Sequence, residues 1–173
     1  MIARCEFAQG AVILRDAFET CRRTEWQMSY PEFKGAYAEA LAGLGQIDEA
    51  LTAVNDAIAS PGQCENGQRR YMPEPLRIKG EVLLQEDSDR SISTAEECFD
   101  HAGELAREQG ALFWELWIAF SLGRLRVTQG RHHDARQMLA PVCAKFTEGF
   151  EMADLKATKA ILHEPRQSPA GGR

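Results

Sequence analysis

The stretch Gly123–Cys143, GRLRVTQGRHHDARQMLAPVC, decides the fold. Stepping 3, 4, 7 and 8 residues forward from Ala135 gives Met138, Leu139, Val142 and Cys143. That spacing lays one apolar stripe along a helix. Gly130 precedes it, a residue that tolerates left-handed backbone just past a helix end. Gly123 stands twelve residues before Ala135, inside a helical run over about Leu112–Gln129. With no side chain there, a paired helix can approach closely.

Outward from this stretch the arrangement recurs. The starting points Gly10, Ala50, Ala95 and Ala135 are separated by 40, 45 and 40 residues. The same steps give Ile13, Leu14, Ala17 and Phe18 from the first, and Ala53, Val54, Ala57 and Ile58 from the second. The third gives Cys98, Phe99, Ala102 and Gly103. Small residues precede the later starts, Ala38 in a helical run over Pro31–Leu44 and Gly80 in one over Pro75–Gln85. Gly45 closes its helix as Gly130 does. Ser29 with Glu32, and Ser93 with Glu96, have capping-box spacing. Asp87–Ser91 is a polar insertion that lengthens the middle period. Near-constant period means a stacked array of helix pairs.

Over residues 10–146 this pattern resembles the tetratricopeptide repeat. Gly45, Ala50, Val54 and Ala57 match it after Ala38, and Gly123, Gly130, Ala135 and Leu139 match it again. The period exceeds the roughly 34 residues of the standard unit. Lys34 and Ala119 stand where the first-helix Trp is expected. The resemblance implies an all-α fold, a right-handed α-solenoid of tetratricopeptide-like helix pairs. It also implies that first helices line a groove for a protein or peptide partner. By repeat register Glu39, Arg77, Glu81, Gln85, Trp117, Phe120, Arg124 and Thr128 face that groove. Arg77 and Arg124 would grip a carboxylate, and Trp117 and Phe120 would supply apolar contact. The alternative is that this face only packs against neighbouring repeats or other domains.

A second resemblance lies in the last two-thirds. The runs Leu76–Leu84 (LRIKGEVLL), Ala95–Phe99 (AEECF), Trp114–Leu116 (WEL), Ser121–Leu125 (SLGRL) and Phe146–Phe150 (FTEGF), followed by Asp154–Lys156 (DLK), carry it. They look like the C-terminal repeat region of bacterial adenylate/guanylate cyclases and AAA-type ATPases with regulatory tails. The ending Phe146–Leu162 matches that family's closing helix. Two functions follow: a non-catalytic protein-protein interaction scaffold, or a regulatory or sensor segment of a bacterial nucleotide cyclase or ATPase signalling protein.

The expected organisation is a repeat domain over 1–163, with units at about 1–25, 29–60, 73–109 and 112–146 and a capping helix over 152–162. Residues 164–173, with two prolines and a Gly-Gly, read as a flexible tail. Pro61–Tyr71 reads as a polar loop. Met1–Gln9 reads as the remnant of a first helix paired with a second over Gly10–Cys21. That edge is expected to leave Ile13, Leu14, Ala17 and Phe18 partly uncovered, favouring association, with a two-fold homodimer the simplest closed outcome.

Composition narrows the function classes. Over 173 residues the net charge is −6, with 44% hydrophobic and 27% charged residues, ordinary for a globular chain. The acidic balance argues against nucleic acid, and the basic stretch Arg69, Arg70, Arg77 and Lys79 reads as solvated surface. No apolar run reaches bilayer length, so no membrane is expected. Five cysteines without a C-x-x-C pair suit a reducing cytoplasm, and Cys21, Cys98 and Cys143 fall on apolar helix faces.

No catalytic or cofactor motif is complete. Gly62–Arg69 has the glycine spacing of a phosphate loop but lacks its Lys and Ser/Thr, so a turn is the reading. His132-His133-Asp134 reads as a helix start, because adjacent histidines diverge by about 100°. Glu96-Glu97 and Asp48-Glu49 suit the positive ends of second helices. Trp114 and Trp117 read as core packing. No enzyme activity, cofactor or metal is expected.

Overall fold

The structure, a computed structural model, describes residues 2–23, 30–59, 71–149 and 151–163. Among the described residues all regular structure is helical. The helices are α1 (Ile2–Arg23), α2 (Tyr30–Gly43), α3 (Ile47–Ala59), α4 (Pro73–Leu83), α5 (Asp89–Glu108), α6 (Leu112–Thr128), α7 (His132–Ala144) and α8 (Ala153–His163), with a 3-10 turn at Leu84–Glu86. No helix of the described residues is long and apolar enough to cross a membrane. The chain divides into two compact units, residues 1–109 and 110–173.

In the first unit α2 and α3 form a hairpin closed by Gly45 at φ +82°. Gln46 N–H donates to Leu41 C=O at 3.0 Å and Gly45 N–H to Ala42 C=O at 2.9 Å. These two bonds satisfy carbonyls that the helix end would leave orphaned. Ala38, Ala50 and Val54 are fully buried, and with Leu41, Ala42, Ile78 and Val82 they join α2, α3 and α4 in one core. Gly35 extends this approach: a Cβ there would come 3.0 Å from Ile78 Cδ1.

The next hairpin, α4 and α5, uses different turn chemistry. Asp87 takes the left-handed conformation at φ 50°, tolerable for a short polar side chain. Ser88 then caps α5. Ser91 N–H donates to Ser88 Oγ at 3.1 Å, and Ser88 N–H donates to Ser91 Oγ at 3.1 Å. The expected Ser93–Glu96 box is therefore corrected. Ser93 lies inside α5, because the helix starts four residues earlier, at Asp89. The Asp87–Ser91 stretch is a turn residue, a cap and a first helical turn. The Ser29–Glu32 box, the loop 61–70 and the tail 164–173 lie outside the described residues, wholly or at their deciding positions.

The first repeat departs from expectation. Residues 2–23 form one continuous helix, with no hairpin near Gly10. Helix propagation through a single exposed-side glycine costs about 1 kcal/mol, which does not stop it. α1 packs on α2, with Phe7 and Phe18 meeting it, and Ala11, four residues after Phe7, is buried. The Phe7 ring sits under Gly43, where a Cβ would come within 2.5 Å of Phe7 Cδ2. Phe18 meets Tyr37 edge-on at 5.5 Å between centroids.

The second unit repeats the first hairpin's chemistry. α6 and α7 join through Gly130 at φ +73°. Arg131 N–H donates to Arg126 C=O at 2.7 Å and Gly130 N–H to Val127 C=O at 2.9 Å, the same pair of bonds as at Gly45. Leu116, Ala119, Leu139, Val142, Cys143, Phe146 and Leu155 form its core, with α8 packed on α6 and α7.

Candidate interaction faces

The eight expected groove residues divide four and four between the two units, and each set is described within its own unit. In the first, Glu39, Arg77 and Glu81 come together. Helical spacing places Glu74 and Glu81 three and four residues from Arg77 on α4, and α2 brings Glu39 across. Arg77 Nε donates to Glu74 Oε2 at 2.7 Å and its Nη2 to Glu74 Oε1 at 2.6 Å. Glu39 Oε1 lies 3.7 Å and Glu81 Oε1 4.0 Å from the guanidinium. Burial alone would lower the Arg77 pKa. The hydrogen-bonded Glu74 carboxylate, with Glu39 and Glu81, outweighs it and raises the pKa instead.

This corrects two expectations. Arg77 is not solvated surface, since only 14% of its side chain is exposed. Nor is its fork open to a partner's carboxylate, because Glu74 already fills it in bidentate geometry. Gln85 is exposed in the 3-10 turn.

In the second unit Trp117, Phe120, Arg124 and Thr128 share one face of α6 by their spacing of three and four. Trp117 Nε1 donates to Asp154 Oδ2 of α8 at 3.0 Å, and its ring meets Trp114 edge-on at 5.1 Å. Both rings are half-buried. The Arg124 guanidinium carbon lies 5.7 Å from the Phe120 ring centroid, within cation–π range. Thr128 Oγ1 donates back to Leu125 C=O. Phe113 belongs to the same face and escaped sequence reasoning. It lies four residues before Trp117, 53% exposed, in a T-shaped pair with Phe146 at 5.8 Å between centroids. Helical spacing alone would have found it. On the opposite side of α6 the buried Glu115 accepts from Lys145 Nζ at 2.7 and 2.8 Å, tying α6 to the end of α7.

A cavity of about 400 Å³ opens among α1, α2 and α3. Phe18, Tyr37, Leu41 and Ala53 are its apolar lining, and Asp48, Glu49 and Asp56 its acidic lining. Lys34 Nζ reaches Asp56 Oδ2 at 3.1 Å. Sequence reading missed it because it depends on how α1 rolls onto α2.

The histidine stretch opens α7. Asp134 accepts from Arg131 Nε at 2.7 Å, and among the described residues no His/Cys/Asp/Glu group suits a metal. Cys98 and Cys143 are buried free thiols. Burial raises both pKa values, against opposing influence from Lys79 and Lys159 respectively, while Glu97 adds to the rise at Cys98. No family model, curated protein or solved structure matches this chain.

Proposed function

We propose that this chain is a non-catalytic protein-interaction scaffold, a right-handed α-solenoid of tetratricopeptide-like pairs. The observation that carries the reading is the repeated hairpin. Gly45 and Gly130, 85 residues apart, make the same left-handed turn with the same two backbone bonds. Behind each turn a small residue meets a large one: Ala38 shares a core with Val54, and Gly123 faces Leu139. Such units bury their apolar faces only by stacking, and their free surfaces serve binding. The α6 face of Phe113, Trp117, Phe120 and Arg124 has the aromatic and arginine composition enriched at interfaces. Its partner is a protein or peptide carrying a carboxylate beside apolar side chains.

Affinity capture from native lysate, with parent and the Phe113→Asp/Arg124→Glu variant side by side, tests this. Both residues are exposed, so helicity should be unchanged. A protein retained by the parent and lost by the variant supports the reading. Identical capture by both would overturn the α6 assignment. A cyclase or ATPase polypeptide among the retained proteins would support the regulatory-segment reading.

A further inference from the structure

Three helices build the cavity among α1, α2 and α3. α2 contributes Lys34, Tyr37 and Leu41, three and four residues apart, and α3 contributes Asp48, Thr52 and Asp56, four and four apart. Such spacing puts each set on one face of its helix. The α2–α3 hairpin is antiparallel, and the Lys34–Asp56 contact at 3.1 Å sets its register. Three residues along each helix from that contact, Tyr37 stands opposite Ala53. Seven along, Leu41 stands opposite Glu49. Phe18 of α1 joins from the side in a T-shaped pair with Tyr37.

Charge is uneven along this trough. At one end the Lys34 ammonium neutralises Asp56. At the other, about 10 Å along α3, Asp48 and Glu49 stand side by side. Among the described residues neither meets a cation, and Glu49 accepts only long bonds from the Gln46 amide, at 3.4 and 3.5 Å. The positive end of α3 accounts for acids in its first turn. It does not account for the apolar trough beside them, where Leu41 is buried and Phe18, Tyr37 and Ala53 are half-buried. The cavity's volume of about 400 Å³ falls within the roughly 300–1,000 Å³ of small-ligand pockets, which pair apolar walls with a few orienting polar groups.

We infer that this cavity binds a small organic cation. Asp48 and Glu49 hold its single ammonium or guanidinium, and its apolar body, of the size of one aromatic ring, lies along Leu41, Ala53, Tyr37 and Phe18. The lining selects this chemistry. Three carboxylates against one ammonium repel an anion. Asp48 and Glu49 are exposed, so a cation without an apolar body gains only the small, screened attraction of surface charges. A neutral body forgoes that attraction altogether. The site is made by α1, α2 and α3 alone and rests on none of the scaffold reading.

Amide-shift titrations of the full chain by NMR test this with three probes: 2-phenylethylamine, the neutral 2-phenylethanol, and methylammonium, which has the charge without the body. 2-Phenylethylamine should shift the Thr52 and Ala53 amides and bind about fivefold or more tighter than either of the others. Asp48→Asn/Glu49→Gln should weaken it by a similar factor. Glu97→Gln/Asp100→Asn removes the same charge from exposed positions of α5 and should leave affinity within about twofold of the parent. Thr52→Phe, bulky at an exposed position of the lining, should block the amine while keeping both carboxylates, with circular dichroism reporting intact helix in every variant. Equal binding of the amine and the alcohol, equal losses from the two double variants, or no shift at Thr52 and Ala53 would overturn the proposal.

Discussion

Gly80 lies against one side of the Phe99 ring: a Cβ at Gly80 would come 2.5 Å from Phe99 Cε1 and 2.7 Å from Cζ. The contact works only because one partner lacks a side chain and the other is an aromatic ring with no exposure at all. Phe99→Ala should cost about 3–5 kcal/mol in denaturant unfolding. Gly80→Ala should cost about 1–3 kcal/mol through overpacking. The double variant Gly80→Ala/Phe99→Leu should recover part of that loss, a coupling that a double-mutant cycle would read.

Gly123 is the same relationship with a softer partner. A Cβ there would meet Leu139 Cδ1 at 2.9 Å and Cγ at 3.2 Å. Leu139 is as fully buried as Phe99, but its contact is the longer one and a leucine methyl turns more easily than a rigid ring. Gly123→Ala should therefore be milder than Gly80→Ala, while Gly123→Leu should lower Tm sharply by wedging α6 from α7. Equal melting of Gly123→Leu and the parent would show that the α6–α7 crossing is wrongly placed.

Two serines offer a direct comparison of caps. Ser88→Ala removes the oxygen that accepts the Ser91 N–H and should cost about 1 kcal/mol. Ser93→Ala changes an exposed position within α5, where alanine is the better helix former, and should be neutral or slightly stabilising. Urea melts of the two variants would rank them.

Arg77 holds Glu74 where only 16% of that carboxylate's side chain is exposed. Arg77→Ala leaves the carboxylate without its bidentate donor and should cost about 2–3 kcal/mol. Glu39→Gln, at a side chain 57% exposed and 3.7 Å away, should cost under about 0.5 kcal/mol. Comparable losses from the two would show that the cluster shares its charge more evenly than the distances indicate.

Burial holds the Cys98 and Cys143 thiols above the ordinary thiol value. Both should react slowly with a disulfide reagent at pH 8 until the protein unfolds. The sign for stability follows from proton counting. Above the ordinary thiol pKa the unfolded chain has lost protons that the folded chain keeps, so stability falls as pH rises through that value toward the raised folded one. The Cys98→Ala/Cys143→Ala variant should lose that part of the pH dependence in melts across the alkaline range.

The sequence by itself determined the hairpins α2–α3, α4–α5 and α6–α7, but not the continuous α1, where it placed a further hairpin at Gly10. Helical periodicity is a local property, and a left-handed turn or a close crossing selects for glycine or alanine at one position. That is why Gly45, Gly130, Ala38, Gly80, Gly123 and Phe99 were legible without coordinates. The tertiary structure decided what several sequences permit equally. α1 carries apolar residues over a wide arc, so its pattern fits either Ile13–Ala17 or Phe7–Ala11–Leu14–Phe18 against a neighbour. Packing of Phe7 under Gly43 and Phe18 on Tyr37 selected the second. Ser88 and Ser93 both have capping chemistry nearby, and the length of the α4–α5 turn chose between them. Repeat register put Glu39, Arg77 and Glu81 on one face, but the bidentate hold of Glu74 on Arg77 was not foreseen. Glu74 and Glu81 are within helical reach, but Glu39 lies on a different helix, and only the folding of α2 against α4 put its carboxylate beside the guanidinium.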